Sequence, residues 1–429
     1  MNQAADERAR ALAVFPAGIS NGEFGLPEDD LVVMERGEGC TLWDTSGREW
    51  LDFSMGWGSV LVGHARPEVV AAVSAQAPLG SNFAYLNSHA LAVAEEIRRA
   101  CPAAERLRFC ASGTEATMYC ERVARAHTGR DRIIKFEGAY HGATETGVTS
   151  LFPQRGLNFP EPELTSAGTP AAARQVLVAP FNDAAALRSI LAEHAHEVAA
   201  VIVEPLQRCT PPAPGFLEAV REACSASGVL LIFDEVVTGF RLAYGGAQEY
   251  YGVVPDLVAY GKALGGGYPI GAFAGAAAVM ENVNEHRIGG DDYVWMASTL
   301  GGNPISTAAA RATLGVLRGP GVYERLHALG HYLREAMREV LRRHGVVGQV
   351  IGDGPLAQVV FTDAPVTDYR QGARADRRRA RTTMLGLFRR RVFLNPMGTK
   401  LYLSLAHDEA ACDELARRLD AVLAEPMPA

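Results

Sequence analysis

The chain has 429 residues, of which 48% are hydrophobic and 21% are charged. That composition is typical of a folded globular protein, and the length predicts two or three structural units rather than one small core. A formal net charge of −8 argues against a polyanion as the main partner, so no nucleic-acid binding is predicted. No stretch approaches the roughly 20 apolar residues of a membrane span, so no membrane partner is predicted either.

The cysteines and the first residues indicate the compartment. The 7 cysteines form no C-x-x-C pair, which favours free thiols in a reducing compartment over a disulfide framework, and no metal site is predicted. The N-terminal residues, M-N-Q-A-A-D-E-R-A-R, are charged and lack the apolar segment of a secretory signal. The sequence therefore predicts a cytoplasmic protein.

Taken in order, the chain changes its pattern twice. Residues 1–60 contain a short polar helix and then apolar runs separated by glycines, which predict three short antiparallel strands. Residues 61–305 alternate helical stretches with apolar strands, the pattern of a mainly parallel sheet covered by helices. Residues 306–429 combine amphipathic helices with short strands, which predicts a smaller α+β domain. The predicted fold class is α/β.

The first candidate site lies in the second of these parts. Ser112, Gly113 and Thr114 follow a predicted strand and open a predicted helix, and either Ser112 or Thr114 is a suitable N-cap. The free N–H groups and the positive dipole end at a helix N-terminus bind anions, and a phosphate fits such a site. Simple helix capping is the alternative explanation of the same pattern.

Two later strands of this part end in charged side chains. The apolar run 229–233 ends in Asp234, and the run 257–260 is followed by Gly261 and Lys262. Open α/β sheets bind their ligands at the carboxyl ends of the strands. An acid and a lysine on neighbouring strand ends suit a cofactor with a basic ring nitrogen and an aldehyde. A structural aspartate and an unrelated surface lysine are the alternative.

The stretch 377–391 contains seven arginines, a density that nucleic-acid patches also show. Apolar residues, Met384 and Leu387 among them, interleave with the arginines. The pattern therefore favours an amphipathic helix with one packed face and one solvated face.

Together these motifs resemble those of the class III aminotransferases, enzymes of fold-type I that use pyridoxal phosphate (PLP). The resemblance is carried by S-G-T-E-A-T-M at 112–118, D-R-I-I-K-F-E-G-A-Y-H-G at 131–142, D-E-V-V-T-G-F-R at 234–241, and G-K at 261–262 before G-G-G-Y-P-I-G at 265–271. Within that family the sequence is most similar to the glutamate-1-semialdehyde aminomutase group. The resemblance implies PLP as the cofactor, and a small domain to which residues 1–60 contribute.

The same resemblance assigns roles to single residues. Lys262 is the catalytic residue that forms a Schiff base with PLP, and Asp234 pairs with the pyridine nitrogen, whose protonated form a carboxylate stabilises. The other implied cofactor contacts are Ser112, Gly113 and Thr114 at the phosphate, Tyr140 on the ring face, Glu204 near the ring and Val236 behind it. Thr299 reaches the phosphate of the opposite subunit, which implies a homodimer with shared active sites.

The sequence departs from the aminomutase group near its N-terminus. The group's P-G-G-V-N-S-P-V-R aligns with residues 16–24, so Phe24 stands where the arginine that binds the substrate carboxylate is expected. The group's gating glutamate aligns with Thr399. Because burying a carboxylate against Phe24 and Trp57 would cost several kcal/mol, we expect an acceptor without a free carboxylate at this place. Phe24, Trp57 and Thr399 are the candidate substrate residues.

The predicted function is PLP-dependent transfer of an amino group from a small-molecule donor to a carbonyl acceptor. An aminomutase of the glutamate-1-semialdehyde type, or an amino-acid epimerase, is the alternative on the same scaffold. A non-catalytic binding protein of this fold is a further alternative, but the presence of Lys262, Asp234 and Tyr140 together argues against it.

Overall fold

The computed structural model describes residues 3–22, 24–395, 398 and 400–427. By its internal contacts the chain divides into two compact units. The first unit consists of Met1–Pro67, Glu324–Pro365 and Gln371–Ala429, and the second consists of Glu68–Tyr323 and Val366–Arg370.

The secondary structure follows the sequence patterns closely. The strands are β1 (Met34–Glu38), β2 (Thr41–Asp44), β3 (Glu49–Asp52), β4 (Arg106–Cys110), β5 (Arg132–Phe136), β6 (Leu177–Ala179), β7 (Val198–Val203), β8 (Leu230–Asp234), β9 (Leu257–Tyr260), β10 (Gly271–Gly275), β11 (Gln349–Ile351), β12 (Leu356–Val360), β13 (Val392–Phe393) and β14 (Lys400–Tyr402). The α-helices are α1 (Gln3–Val14), α2 (Pro67–Gln76), α3 (Ser88–Ala100), α4 (Gly113–Thr128), α5 (Glu145–Val148), α6 (Ala184–His194), α7 (Phe216–Ser227), α8 (Gly246–Tyr251), α9 (Ala277–Met280), α10 (Pro304–Leu317), α11 (Val322–Arg343), α12 (Tyr369–Ala373), α13 (Arg377–Arg389) and α14 (Glu409–Leu423). In the part of the chain that the structure describes, no helix has both the length and the apolar character needed to cross a membrane.

The second unit is built on a sheet with the strand order β4-β10-β9-β8-β7-β5-β6. Strand β10 runs antiparallel to both of its neighbours, and the other pairs are parallel. Every residue of β7 is buried, as expected for a strand in a sheet with helices on both faces. The predicted fold class, α/β with a mainly parallel sheet and a smaller α+β part, is confirmed.

The register of the parallel strands determines where their ends meet. Asp234, the last residue of β8, stands opposite Ala259 of β9, and Val203 at the end of β7 stands opposite Phe233 of β8. Because these strands point the same way, the loops that follow them leave the sheet at one edge. In α/β sheets that edge is the usual ligand site.

The first unit joins segments from both ends of the chain. Strands β1, β2 and β3 form an antiparallel meander, and β13 adds to β3 in parallel with Val392 opposite Leu51. A second sheet has the order β11-β12-β14. Buried apolar side chains, including Phe53, Leu333 and Leu415, form the core of this unit.

Helix α10 lies in the second unit, although the sequence pattern places it in the C-terminal domain that begins at residue 306. Its first turn is tied to the start of α3, because Asn87 Nδ2 donates to the Gly302 carbonyl oxygen at 2.8 Å and Thr307 Oγ1 donates to Asn87 Oδ1 at 3.4 Å. Near its end, the Tyr244 hydroxyl donates to the Leu314 carbonyl oxygen at 3.4 Å. The first unit therefore resumes at Glu324.

The arginine-rich helix α13 is the amphipathic helix that the sequence predicts. Met384, Leu387 and Phe388 are buried on one side of it. Arg389 pairs with Asp30, with Nη2 at 2.7 Å from Oδ2, so part of this positive charge is neutralised within the unit.

Candidate active site

The turn between β4 and α4 presents the start of a helix at the ligand edge of the sheet. Ser112, and not Thr114, is the N-cap, since its Oγ accepts the backbone N–H of Glu115 at 3.2 Å. The first N–H groups of an α-helix lack intrahelical acceptors and lie at the positive end of its dipole. The predicted anion site at Gly113 and Thr114 therefore stands at the N-terminus of a 16-residue helix.

Gly113, Val236 and Gly261 form a tight floor beside that turn. A Cβ placed on Gly113 would lie 2.6 Å from Val236 Cγ1, and one on Gly261 would lie 3.3 Å from the same methyl carbon and 3.5 Å from the Gly113 Cα atom. Glycine is thus required at position 113 because the loops that follow β4, β8 and β9 approach one another closely there.

Asp234 is held by two donors inside the protein. Its Oδ2 lies 2.8 Å from His141 Nδ1, and its Oδ1 accepts the backbone N–H of Val236 at 3.1 Å. His141 has no exposed surface, and Asp234 is 6% exposed. The carboxylate at the end of β8 therefore has a fixed orientation.

Glu204 joins two loops through their backbones. Its Oε1 accepts the N–H of Tyr140 at 2.8 Å, and its Oε2 accepts the N–H of Arg208 at 3.0 Å. The Arg208 guanidinium carbon lies 5.6 Å from the centre of the Tyr140 ring, and that ring is 38% exposed. Glu204 therefore fixes the backbone of the loop that presents Tyr140.

Lys262 is separated from the end of β9 by Gly261 and has a left-handed backbone, with φ of 41°. A non-glycine residue in this region carries a strain of about 1–3 kcal/mol, a cost found most often at functional sites. The side chain is half-buried. The structure thus brings Lys262 to the strand end that neighbours Asp234.

Thr299 lies in an exposed turn that precedes α10. The turn packs against the end of β4, since a Cβ on Gly301 would lie 2.6 Å from the Phe109 carbonyl oxygen and 3.1 Å from the Cys110 Cα atom. The neighbouring Ser298 donates to Glu115 of α4 at 2.9 Å. Thr299 is therefore placed on the surface near the anion site of its own chain.

Two of the three candidate substrate residues can be located, both in the first unit. The Phe24 and Trp57 rings meet edge to face with their centres 5.5 Å apart, and Arg381 donates to the Phe24 carbonyl oxygen at 3.2 Å. Trp57 has a left-handed backbone with φ of 57°. Thr399 lies outside the described residues.

The site combines a helix N-terminus with a carboxylate and a lysine at the ends of neighbouring strands. A comparison of the sequence with known protein families agrees with this arrangement. The profile of the family described as aminotransferase class-III matches residues 26–414, which is most of the chain. The chain belongs to the class-III aminotransferases.

Relatives of this class-III aminotransferase have more than one named activity. It is 40% identical over 417 residues to a glutamate-1-semialdehyde 2,1-aminomutase of Thermomicrobium roseum, and the match covers 96% of this chain and 95% of that protein. An omega-transaminase from Sphaerobacter thermophilus has a similar structure, with a TM-score of 0.91 and 34% identity over 98% of this chain and 97% of that chain. A transaminase with PLP bound has a TM-score of 0.87 and 29% identity, covering 98% and 96% of the two chains.

Class-III aminotransferases are PLP-dependent enzymes, and the residues of this chain fit that cofactor. A helix N-terminus suits its phosphate, a buried carboxylate suits its ring nitrogen, and a lysine suits its aldehyde. Gly113 approaches Val236 so closely that there is no space for a side chain at position 113.

His141 of this class-III aminotransferase is a site residue that was not predicted from the sequence, although it lies in the Y-H-G motif at 140–142. The histidine and Asp234 are 93 residues apart in the chain, so their contact depends on the sheet order. The signal available in the sequence was the place of the histidine between Tyr140 and Gly142, in the stretch that follows the predicted strand 132–136.

Proposed function

We propose that this class-III aminotransferase transfers an amino group from a small-molecule donor to a carbonyl acceptor. The proposal is supported by the position of Asp234 and Lys262 at the ends of the adjacent strands β8 and β9, since Asp234 stands opposite Ala259 and Lys262 follows three residues later. The floor formed by Gly113, Val236 and Gly261 adjoins both strand ends.

In an aminotransferase reaction, each charged group of the site has a defined role. Bound PLP supplies an electron sink for carbanion chemistry at the amine carbon. Asp234 holds a proton at the ring nitrogen, because a nearby carboxylate stabilises the protonated ring, and His141 keeps that carboxylate oriented at 2.8 Å. Lys262 Nζ moves the proton to and from the substrate carbon. The α4 N-terminus, with Ser112, Gly113 and Thr114, binds the phosphate, and Tyr140 covers the ring.

The aromatic surroundings of Phe24 support the inference that the acceptor has no free carboxylate next to this residue. Its side chain packs on Trp57 and lies 6.1 Å from the Phe393 ring, centre to centre. An aromatic cluster of this kind cannot form the bidentate, charge-assisted contact that an arginine makes with a carboxylate. The neighbouring Arg381 donates to backbone carbonyl oxygens, that of Phe24 among them. We therefore infer a largely uncharged acceptor, or one whose acid is tied up in an ester, thioester or amide.

Isomerisation of glutamate-1-semialdehyde is the second candidate function. The 40% identity to an aminomutase over nearly the whole chain favours it. The likeness to an omega-transaminase at 34% identity favours transfer between separate molecules instead. Both reactions use the same cofactor residues, so the substrate-binding residues decide between them.

A donor–acceptor screen that follows conversion of PLP to pyridoxamine phosphate by absorbance tests both functions. We expect separate amino donors to drive the conversion, and neutral aldehydes or ketones to reverse it with a kcat/KM at least tenfold above that for glutamate-1-semialdehyde. In Phe24→Arg, acceptors with a carboxylate should gain activity relative to neutral ones. Efficient isomerisation of the semialdehyde by the unaltered enzyme would establish the aminomutase instead. An enzyme that neither converts PLP with any donor nor isomerises the semialdehyde would refute both functions.

A homodimer with shared active sites is part of the proposal. Large apolar side chains are exposed on the segment before and within α3 and beside Thr299; they are Leu79, Phe83, Tyr85, Leu86, Leu91, Trp295 and Leu300. The two regions are joined by the hydrogen bond from Asn87 to Gly302. Clustered apolar surface of this kind is typical of an interface, and a second copy of the chain that covers it would bring Thr299 to its partner.

A further inference from the structure

Lys135 has no exposed surface although it carries an ionisable group. It is the residue before the last of β5, opposite Val178 of β6 and Ile202 of β7. Its Nζ lies 2.9, 3.1, 3.0 and 2.6 Å from the backbone carbonyl oxygens of Ala139, Thr146, Gly147 and Thr149, respectively. We call these four oxygens the carbonyl cage.

The carbonyl cage suits a charged ammonium group. An ammonium has three N–H donors and no acceptor, whereas a neutral amine has one donor fewer and a lone pair that would face carbonyl oxygens. Burial lowers the pKa of Lys135 to about 7, and the carboxylate of Glu121, buried on α4, offsets only part of that shift. Carbonyl dipoles that converge on one point also stabilise a cation there. The cage and Glu121 together therefore oppose the effect of burial and favour the charged form.

The carbonyl cage spans the loop that carries two residues of the cofactor site. One of its oxygens precedes Tyr140, and the other three belong to α5 and the residue after it. Between them, the Tyr140 N–H donates to Glu204 at 2.8 Å and His141 contacts Asp234 at 2.8 Å. A single cation thus fixes both ends of segment 139–149.

We propose that Lys135 is a positioning residue of the PLP site: its ammonium group fixes segment 139–149 and so holds Tyr140 and His141 in place before the cofactor binds. The inference rests on the proposed function, because that function assigns Tyr140 to the cofactor ring and His141 to the orientation of Asp234. A role in folding alone is the alternative. It requires that replacing Lys135 lowers stability but leaves PLP binding by the folded molecules unchanged.

The test compares Lys135→Met, which keeps the length of the side chain and removes its donors, with Arg334→Met. Arg334 is a matched control in the first unit, since it is also a buried cation, and its Nη1 donates to the Gly354 and Leu356 carbonyl oxygens at 2.8 and 2.9 Å. Both variants are measured well below their melting temperatures. One readout is hydrogen exchange of segment 139–149 in the cofactor-free chain, and the other is the PLP dissociation constant from titration.

In Lys135→Met we expect exchange in segment 139–149 and the PLP dissociation constant each to rise about tenfold or more, because buried acceptors lose their donor. Arg334→Met should lower the melting temperature and leave both readouts within about twofold of the unaltered protein. Wild-type exchange and affinity in folded Lys135→Met would overturn the proposal.

If Lys135→Met does not fold, Lys135→Gln takes its place, because glutamine keeps two N–H donors without the charge. Native PLP affinity and native exchange in Lys135→Gln would then show that the charge is not needed, and the proposal would be wrong. If the unaltered chain binds no PLP at all, the proposed function fails. The exchange comparison in the cofactor-free chain still reports whether Lys135 orders the segment.

Discussion

The close approach of α4 to the loop after β8 predicts a large effect of a single methyl group. A Cβ on Gly113 would lie 2.6 Å from Val236 Cγ1 and 3.0 Å from Cγ2, whereas carbon atoms in favourable contact are about 3.5–4.0 Å apart. Gly113→Ala must therefore displace one of the two loops by about 1 Å. Overpacking of this kind costs about 1–3 kcal/mol, which corresponds to roughly 5-fold to 150-fold in an equilibrium constant.

We expect most of that cost to appear as weaker PLP binding, because the displaced groups are the helix start and the residue that follows Asp234-Glu235. The assay is titration of the cofactor-free protein with PLP, together with the free energy of unfolding from urea denaturation. Gly315→Ala is the matched control: Gly315 lies in α10, where an added Cβ meets nothing within 4 Å. It should stabilise the chain by about 0.8–1.0 kcal/mol and leave PLP affinity unchanged.

A second substitution identifies the clash. Val236→Ala removes the two methyl carbons that meet the new Cβ, so Gly113→Ala/Val236→Ala should recover PLP affinity relative to Gly113→Ala alone. The recovery is the coupling energy of a double-mutant cycle. PLP affinity within twofold of wild type in Gly113→Ala, or a double variant no better than the single one, would refute the reasoning.

Three further predictions concern the chemistry and the assembly. Borohydride reduction followed by peptide mapping should place the pyridoxyl label on Lys262, and Lys262→Ala should bind PLP without that linkage; a label on any other lysine contradicts the assignment. Asp234→Asn should keep the fold and much of the PLP affinity but lose most of kcat, since an amide holds the ring proton poorly; near-normal turnover would show that another group does so. Mixing inactive Lys262→Ala with inactive Thr299→Ala should restore activity through heterodimers that have one unaltered site, whereas an active monomer in sedimentation at assay concentration would exclude shared sites.

The sequence predicted the sheet because the evidence for it is local. Runs such as Val198–Val203 are apolar throughout, and they alternate with helical stretches. The position of Asp234 and Lys262 at strand ends followed from the same runs, since each charged residue stands where an apolar run stops. Ser112 as the N-cap required the structure, because Thr114 is an equally suitable residue by type.

Contacts between distant parts of the chain were not predictable in this way. In the sequence, Lys135 is a polar residue between the apolar residues of a predicted strand. Only the structure shows that four carbonyl oxygens surround its Nζ. Glu204 meets Tyr140 across 64 residues of sequence. The assignment of α10 likewise depends on hydrogen bonds such as Asn87 to Gly302, 215 residues apart, which no helical pattern contains.

The discontinuous first unit has a consequence for biosynthesis. Asp30 and its partner Arg389 are 359 residues apart. Strand β3 and its partner β13 are separated by a similar length of chain, so β3 cannot pair with β13 until that length has been synthesised. At about 5–20 residues per second, a ribosome needs roughly 20–70 s to traverse that interval. For this time the outer edge of β3 is an open template for strands of other chains, and the second unit is completed before β13 is made. Nascent chains released before β13 is made are therefore the molecules most exposed to aggregation and most in need of a chaperone.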